Sequence, residues 1–220
     1  MRVLPSPGLK DDSAGTVPVS EAEAPRRKGF MILLHPLRFV TLTLLLTFVL
    51  KTFILQVFTV PSGSMENTLQ VGDRVVVEKV STRLGASVDK GDIVVFRDPG
   101  GWLPPGPLQT TWKESLSRFI GWPAADGYLV KRVVATGGDT VECQGDGPLK
   151  VNGKAVHEDY VYPGDGPCAG RAFGPVKVPS NKLWVMGDHR GASADSRYHP
   201  AVDGGFVSES AVAGVVVFVF

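Results

Sequence analysis

The chain has 220 residues, of which 43% are apolar, and its formal net charge at pH 7 is +1. This length allows one medium-sized domain with additional segments, and the near-neutral charge argues against nucleic acid as a partner. The 26 glycines and 17 prolines favour short strands joined by turns over a bundle of helices.

The N-terminal segment is polar. Residues 1–25 are rich in Pro, Ser, Ala, Asp and Glu and contain few large apolar side chains, so they cannot bury enough surface to offset the entropy cost of ordering. The basic cluster RRK follows at residues 26–28. We expect residues 1–33 to form a disordered tail.

An apolar segment follows the basic cluster, and residues 34–54 are predicted to form a transmembrane helix. Such a helix needs about 20 mainly apolar residues, and the charged ends of Arg38 and Lys51 can reach opposite interfaces. A cleavable signal peptide has the same basic-then-apolar order. No small-x-small motif lies between the apolar core and Pro61, which favours a retained single-pass anchor in the plasma membrane. The basic cluster then places the N-terminus in the cytoplasm and residues 55–220 outside.

Short β-branched runs bounded by turn residues dominate the rest of the chain. They are RVVVEKV (74–80), DIVVFR (92–97), YLVKRVVA (128–135), residues 140–143, residues 149–151, LWVM (183–186) and VAGVVVFVF (212–220). Asn152 followed by Gly153 predicts a two-residue hairpin turn. We therefore predict a mainly antiparallel β domain over residues 55–220. Residues 98–127 are predicted to be a loop insertion with helical spacing of the apolar residues Trp112, Leu116, Phe119 and Ile120.

Two cysteines, Cys143 and Cys168, lie in a Gly-, Pro- and Asp-rich part of the predicted β domain. The predicted topology places them outside the membrane, where disulfides persist, so a disulfide that closes a surface excursion is favoured. Two unrelated thiols are the alternative, because the sequence does not give the distance between them.

The segment VPSGSM at residues 60–65 contains a candidate nucleophile, Ser64. Pro61 and Gly63 favour a tight turn that presents a hydroxyl at the end of a strand. A bland surface turn has the same composition, so this segment indicates catalysis only together with a matching base.

Lys131, in the middle of YLVKRVVA (128–135), is the candidate base. On a strand its side chain shares a face with Leu129 and Val133, and burial among apolar neighbours lowers the pKa of a lysine. The neutral amine can then remove the serine proton near neutral pH. The alternative is an edge-strand lysine that limits aggregation.

A dense polar loop, GDHRGASADSR at residues 187–197, directly follows the apolar run at residues 183–186. Its two acidic, two arginine and two serine side chains can together fix the position of a catalytic lysine. An ion-paired surface loop is the alternative interpretation.

Four segments together resemble the motifs of the type I signal peptidases, a family of membrane-anchored serine proteases. In chain order they are the serine turn at 61–65, GDIVVF at 91–96, the lysine run at 128–139 and the loop at 187–197. Each motif alone is weak, but four in this order behind a predicted anchor are specific, and the similarity spans residues 35–220. The resemblance implies a signal-peptidase-like antiparallel β domain behind one N-terminal transmembrane helix.

The resemblance also implies a role for each matching residue. Ser64 is expected to be the acylating nucleophile and Lys131 its base, while Ser62 and the Ser64 amide form the oxyanion hole. Ser193 is expected to orient the Lys131 amine. Structural support is expected from Asp188, Arg190, Asp195 and Arg197. The implied reaction removes signal peptides from exported precursor proteins beside membrane lipid, and it needs no metal or cofactor.

Two features depart from the family pattern. His189 stands where asparagine is common in the last motif, and the turn TGGD at residues 136–139 replaces a proline-containing turn. Neither feature includes a residue of the expected dyad, so both concern the shape of loops rather than the chemistry.

Residues 87–90 (SVDK) match the S-x-x-K motif of penicillin-recognising enzymes. That motif requires a helix to place lysine beside serine, whereas this segment lies in a connection flanked by glycines, and no K-T-G follows it. A self-cleaving repressor with a related serine–lysine domain is another alternative. It would require a DNA-binding helical module upstream, where this chain has the predicted tail and anchor. An inactive membrane-tethered β domain that binds partners is a further alternative, and the set of Ser64, Lys131 and Ser193 argues against it.

Overall fold

The computed structural model describes residues 28–49, 54–79, 87–104, 127–145 and 147–220. Within these ranges the chain forms one α-helix and two antiparallel β-sheets. The elements are α1 (Lys28–Val49), β1 (Leu55–Thr59), β2 (Arg74–Glu78), β3 (Ile93–Arg97), β4 (Tyr128–Thr136), β5 (Thr140–Cys143), β6 (Lys150–Val151), β7 (Lys154–Ala155), β8 (Phe173–Lys177), β9 (Lys182–Met186), β10 (Val207–Ser208) and β11 (Val212–Val219). Short 3₁₀ turns lie at Gly63–Met65, Arg190–Ala192, Ser196–Tyr198, Asp203–Gly205 and Glu209–Ala211.

The helix α1 begins earlier than predicted, at Lys28, and ends at Val49. The hydroxyl groups of Thr41 and Thr43 donate to backbone carbonyls four residues earlier, at 2.8 and 2.9 Å, so both are satisfied within the helix. Among the described residues, none of the helices has both the length and the hydrophobicity needed to cross a bilayer. Residues 1–27 of the predicted tail and residues 50–53 of the predicted span lie outside the described residues.

The larger sheet has seven strands in the order β1-β2-β11-β3-β4-β9-β10, and its neighbouring strands are antiparallel. Predicted runs of β-branched residues form β2, β3, β4, β9 and β11, which confirms the mainly antiparallel β domain. The strands β1, β8 and β10 lie outside the predicted runs. β8 contains a glycine and a proline and β10 has only two residues, so neither has a strand pattern of its own.

The smaller sheet has four strands in the order β7-β6-β5-β8. Asn152 (φ 54°) and Gly153 (φ 75°) join β6 to β7, and Val151 pairs with Lys154 across the turn. Positive φ at both central residues is typical of the tight hairpin turn that Asn-Gly favours, so this prediction is confirmed.

Apolar side chains pack on both faces of β4. Leu129 and Val133 belong to a cluster with residues of β3 and β9, whereas Val130 packs in a second cluster with residues of β1 and β2. Val134 belongs to a third cluster, which includes residues of the smaller sheet. β4 is therefore a central strand, and a polar side chain on it can be removed from water.

The predicted insertion at residues 98–127 is described only at its two ends. Asp98 accepts hydrogen bonds from three backbone N–H groups of the loop that follows it, and the buried Trp102 packs edge-on against Phe96 of β3. Residues 105–126, with the helical spacing predicted for them, lie outside the described residues.

Candidate active site

Ser64 lies in the 3₁₀ turn Gly63–Met65, a few residues after β1 ends. Val60 before the turn and Met65 within it are buried at 2% and 1% exposure and pack in the same apolar cluster. The Glu66 N–H donates to the Gly63 carbonyl at 3.0 Å and closes the turn. The turn is anchored on both sides, which holds the Ser64 hydroxyl in one place.

The Lys131 amine contacts this hydroxyl directly. Lys131 lies on β4 opposite Val94 of β3 and is 4% exposed, and Ser64 is 8% exposed. Its Nζ donates to Ser64 Oγ at 2.6 Å and to the Val130 carbonyl at 2.9 Å. The structure thus brings together two residues that lie 67 positions apart in the sequence.

The surroundings of Lys131 favour the neutral amine. Burial lowers its pKa from 10.5 to about 8, although the negative charges of Asp195 and Asp188 act in the opposite direction. Desolvation penalises the charged form of a lysine more than these carboxylates stabilise it. The neutral amine, which can accept a proton, is therefore far more populated near neutral pH than in an exposed lysine.

Ser62 lies on the same side of the turn as the nucleophile. Its hydroxyl is a hydrogen-bond donor to Ser64 Oγ at 3.4 Å, a long contact, and its backbone is extended (φ −143°, ψ 158°). A hydroxyl at this distance can turn towards an oxygen atom that is bound beside Ser64.

Ser193, which is predicted to orient the Lys131 amine, is buried near the nucleophile turn. Ser193 is 3% exposed, and its Oγ has no hydrogen-bond partner in the part of the chain that the structure describes. A Cβ added at Gly187 would collide with both Ser193 Oγ and the Ser64 carbonyl oxygen. Gly187 therefore lies against both Ser193 and Ser64, and the orienting role of Ser193 stays a prediction.

Asp195 and Arg197 form a buried ion pair in which two guanidinium nitrogens meet two carboxylate oxygens. Nε and Nη2 of Arg197 donate to Oδ1 and Oδ2 of Asp195, each at 2.8 Å. Asp195 Oδ2 also accepts the Gly187 N–H at 3.0 Å. Two parallel charge-assisted bonds fix both position and direction, so this pair shapes the loop around Gly187.

The other two residues of the predicted support set have different partners from each other. Asp188 is fully buried and accepts Arg132 Nε at 2.8 Å and Nη2 at 2.6 Å. Arg190 is also fully buried, and its Nη2 and Nη1 donate to Glu158 at 2.6 and 3.0 Å. A single unpaired charge at either place would be strongly destabilising.

The sequence interpretation did not assign a partner to Arg132 or to Glu158. Strand alternation predicts that Arg132 points away from its neighbour Lys131, but not that it pairs with Asp188. Glu158 lies 32 residues from its partner Arg190 in a segment without a local motif. No sequence pattern could have paired Glu158 with Arg190.

A disulfide contacts the same loop. Cys143 at the end of β5 is bonded to Cys168, and the Cys168 carbonyl accepts Arg197 Nη1 at 2.8 Å. The preceding carbonyl, of Pro167, accepts Arg190 Nη1 at 2.6 Å. The disulfide-bonded segment therefore supports the loop at residues 187–197 through two arginines.

The S-x-x-K segment has the wrong structure for the rival enzyme class. Residues 87–90 are not helical, and the Lys90 amine lies 3.2 Å from Asp139 Oδ2 in a partly exposed ion pair. The segment lacks the helix that a penicillin-recognising enzyme requires, and its lysine pairs with a carboxylate.

Comparison with known proteins identifies the family. A family model described as "Signal peptidase, peptidase S26" matches residues 33–220. The chain belongs to this family. It is similar to signal peptidase I of Mycobacterium tuberculosis, with 38% identity over 207 residues that cover 86% of this chain and 70% of the relative. It is also 41% identical over 173 residues to a probable signal peptidase I of Mycobacterium leprae, which covers 70% of this chain and 60% of that protein.

One solved structure, of signal peptidase I from Enterococcus faecalis V583, matches 60% of this chain and 97% of that chain at 25% identity, with a TM-score of 0.39. Membership of the signal peptidase family makes the protein a serine endopeptidase.

Proposed function

We propose that this protein removes N-terminal signal peptides from exported precursor proteins, with Ser64 as nucleophile and Lys131 as general base. The observation that carries this proposal is the 2.6 Å hydrogen bond between two buried side chains, Lys131 Nζ and Ser64 Oγ. A hydrogen bond between nucleophile and base at this distance is the arrangement that activates a hydroxyl.

In the first half of the reaction the neutral Lys131 amine takes the proton from Ser64. The Ser64 oxygen then bonds to the carbonyl carbon of the last signal-peptide residue. As the peptide bond breaks, Lys131 gives the proton to the departing amine of the mature protein. In the second half Lys131 takes a proton from water, the resulting hydroxide cleaves the acyl ester, and the proton returns to the Ser64 oxygen.

The negative charge on the substrate oxygen needs donors beside Ser64. We assign the Ser62 hydroxyl and the Ser64 backbone N–H to this task, because the Ser62 hydroxyl already lies 3.4 Å from the nucleophile. Removing one such donor typically lowers the rate by about 10² to 10³. Ser62→Ala should therefore keep the dyad intact and still lose activity.

Part of β4 has a main-chain edge with no paired strand among the described residues, and an extended substrate can bind there. β9 pairs with β4 only from Arg132 to Thr136, so among the described strands residues 128–131 have β3 as their sole neighbour. An extended peptide can add to such an edge through main-chain hydrogen bonds. Alternate side chains of an extended peptide face the same way, which fits a substrate with small residues one and three positions before the cleaved bond.

The loop at residues 187–197 is assigned a supporting role. Ser193 is proposed to orient the Lys131 amine, because both side chains are buried and Gly187 lies against both Ser193 and Ser64, the hydrogen-bond partner of Lys131. The ion pairs that Asp188, Asp195, Arg190 and Arg197 form are proposed to keep this loop rigid. Their buried charges are all paired, so the loop can support the turn that carries Ser64 with side chains that are fixed in place.

We also propose that the enzyme is a single-pass membrane protein with a cytoplasmic N-terminus and an extracytoplasmic catalytic domain. The support is the order of the sequence, in which the basic cluster at 26–28 precedes an apolar segment. Membrane lipid is then a neighbour of the catalytic domain. The protein should stay in the membrane fraction during alkaline carbonate extraction. Protease added outside intact spheroplasts should degrade residues 55–220.

Cleavage of a purified precursor in detergent tests the dyad. Ser64→Ala and Lys131→Ala should each lower kcat by at least about 10⁴-fold, as losses of catalytic-unit residues do elsewhere. Ser87→Ala and Lys90→Ala are the matched controls, because they alter the second serine–lysine motif and should leave the rate unchanged. Processing at the wild-type rate by either dyad variant would refute the proposed mechanism.

A further inference from the structure

His189 touches the nucleophile turn through its backbone. Its N–H donates to the Ser64 carbonyl at 3.2 Å, and Gly187, two residues earlier, packs against the same carbonyl oxygen. The backbone of the loop at residues 187–197 therefore lies directly against the residue that carries the reacting hydroxyl.

The His189 ring contacts the other end of the same turn. Its Nδ1 lies 3.1 Å from Glu66 Oε2, and Glu66 is two residues beyond Ser64. The Glu66 carboxylate folds back over Gly63, where an added Cβ would approach Oε1 to 2.7 Å. Backbone and ring of His189 thus hold the turn that presents Ser64 at two separate points.

A third segment fixes the ring from the opposite side. The ring stacks on Tyr162 with 4.0 Å between centroids and 12° between planes, and its Nε2 lies 4.0 Å from Asp165 Oδ2. Asp165 Oδ2 also accepts the Gly191 N–H at 2.9 Å, and Tyr162 N–H donates to the Asp188 carbonyl at 2.9 Å. Both neighbours of the ring are themselves bonded to the loop.

We propose that His189 is a positioning residue of this enzyme, which fixes Ser64 Oγ against Lys131 Nζ by tying the nucleophile turn to the loop at 187–197 through Glu66. The inference rests on the proposed Ser64–Lys131 dyad. A displacement of about 1 Å in a reacting group can lower a rate about 100-fold. Because His189 contacts the turn and not the strand edge at residues 128–131, its loss should lower kcat and leave KM nearly unchanged.

Three substitutions separate the two ring nitrogens. The amide nitrogen of asparagine can take the place of Nδ1 and that of glutamine the place of Nε2. His189→Ala should lower kcat about 10- to 100-fold. His189→Asn should recover kcat to within about threefold of wild type, because a donor faces Glu66 again. His189→Gln should stay near the alanine value, because its donor faces Asp165 instead.

A double-substitution cycle tests the contact itself. If His189 acts through Glu66, His189→Ala should cost much less in the Glu66→Ala protein, which lacks the acceptor for Nδ1, than in wild type, since effects of coupled residues are not additive. His157→Ala is the matched control, because His157 is an exposed histidine of the same domain, and it should cleave at the wild-type rate. Thermal unfolding of each variant, measured in the same detergent, sets the assay temperature below every transition.

Two results would overturn the inference about His189. One is a wild-type kcat for folded His189→Ala, and the other is equal kcat losses for the asparagine and alanine variants. The full-length chain is used throughout, and Ser64→Ala is assayed in parallel. An inactive Ser64→Ala beside a fully active His189→Ala removes only the role of His189, whereas an active Ser64→Ala removes the dyad.

Discussion

Lowering the pH below 8 should progressively stop precursor cleavage, because the proposed base Lys131 then carries a proton. Its amine is buried, and the loss of hydration lowers its pKa from 10.5 to about 8. Only the neutral amine can accept the proton of Ser64. The pH profile of the reaction therefore reports how strongly the folded protein disfavours the charged amine.

The expected size of the effect follows from the two pKa values. At pH 7 an amine with a pKa of 10.5 is neutral in about 0.03% of molecules, whereas one with a pKa of about 8 is neutral in about 9%. Burial thus increases the reactive fraction about 300-fold at this pH. Below pH 8 each further pH unit should lower kcat/KM about tenfold, and above about pH 9 the rate should reach a plateau.

The measurement is kcat/KM for a purified precursor between pH 5.5 and 10, with product quantified by mass spectrometry so that detection does not depend on pH. This ratio reports the protonation of the free enzyme. Intrinsic tryptophan fluorescence at each pH checks that the protein stays folded. A flat profile between pH 6 and 8 would contradict the assignment, and so would a midpoint above pH 10, the value for an exposed lysine.

Three further variants have expected outcomes. Lys131→Met should raise the free energy of unfolding at pH 6 by up to about 3 kcal/mol, because the folded protein holds a charged amine there below pH 8, and the gain should vanish above pH 10.5. Gly187→Ala should lower kcat at least about 100-fold, because its Cβ collides with the nucleophile's carbonyl, whereas Gly166→Ala, which meets no atom within 4 Å, should not. Cys143→Ser with Cys168→Ser should lower the free energy of unfolding by about 3 to 4 kcal/mol, since the disulfide spans 25 positions.

Each of these outcomes has a direct counter-result. Urea unfolding that gives the same free energy for Lys131→Met and wild type at pH 6 would show that the amine is not desolvated. Equal cleavage rates for Gly187→Ala and Gly166→Ala would show that the contact at residue 187 does not position Ser64. An unchanged unfolding free energy without the two cysteines would show that their link does not stabilise the domain.

Much of the β domain could be predicted because strands and turns leave local patterns. The β-branched runs that form β2, β3, β4, β9 and β11 were apparent from composition and spacing, and Asn152 with Gly153 specified the turn between β6 and β7. The strands β8 and β10 could not be predicted in this way. Their pairing with β5 and β9 depends on neighbouring strands rather than on their own residues.

The identity of the candidate dyad came from the sequence, since Ser64 and Lys131 each lie in a short motif whose order along the chain resembles one family. The tertiary structure decided how Lys131 is activated, because its burial depends on packing from strands distant in the sequence. It also decided the partners of Asp188 and Arg190, which are Arg132 and Glu158. These contacts join residues 56 and 32 positions apart. The fold brings the two side chains of each pair together and buries them, and a buried charge needs such a partner.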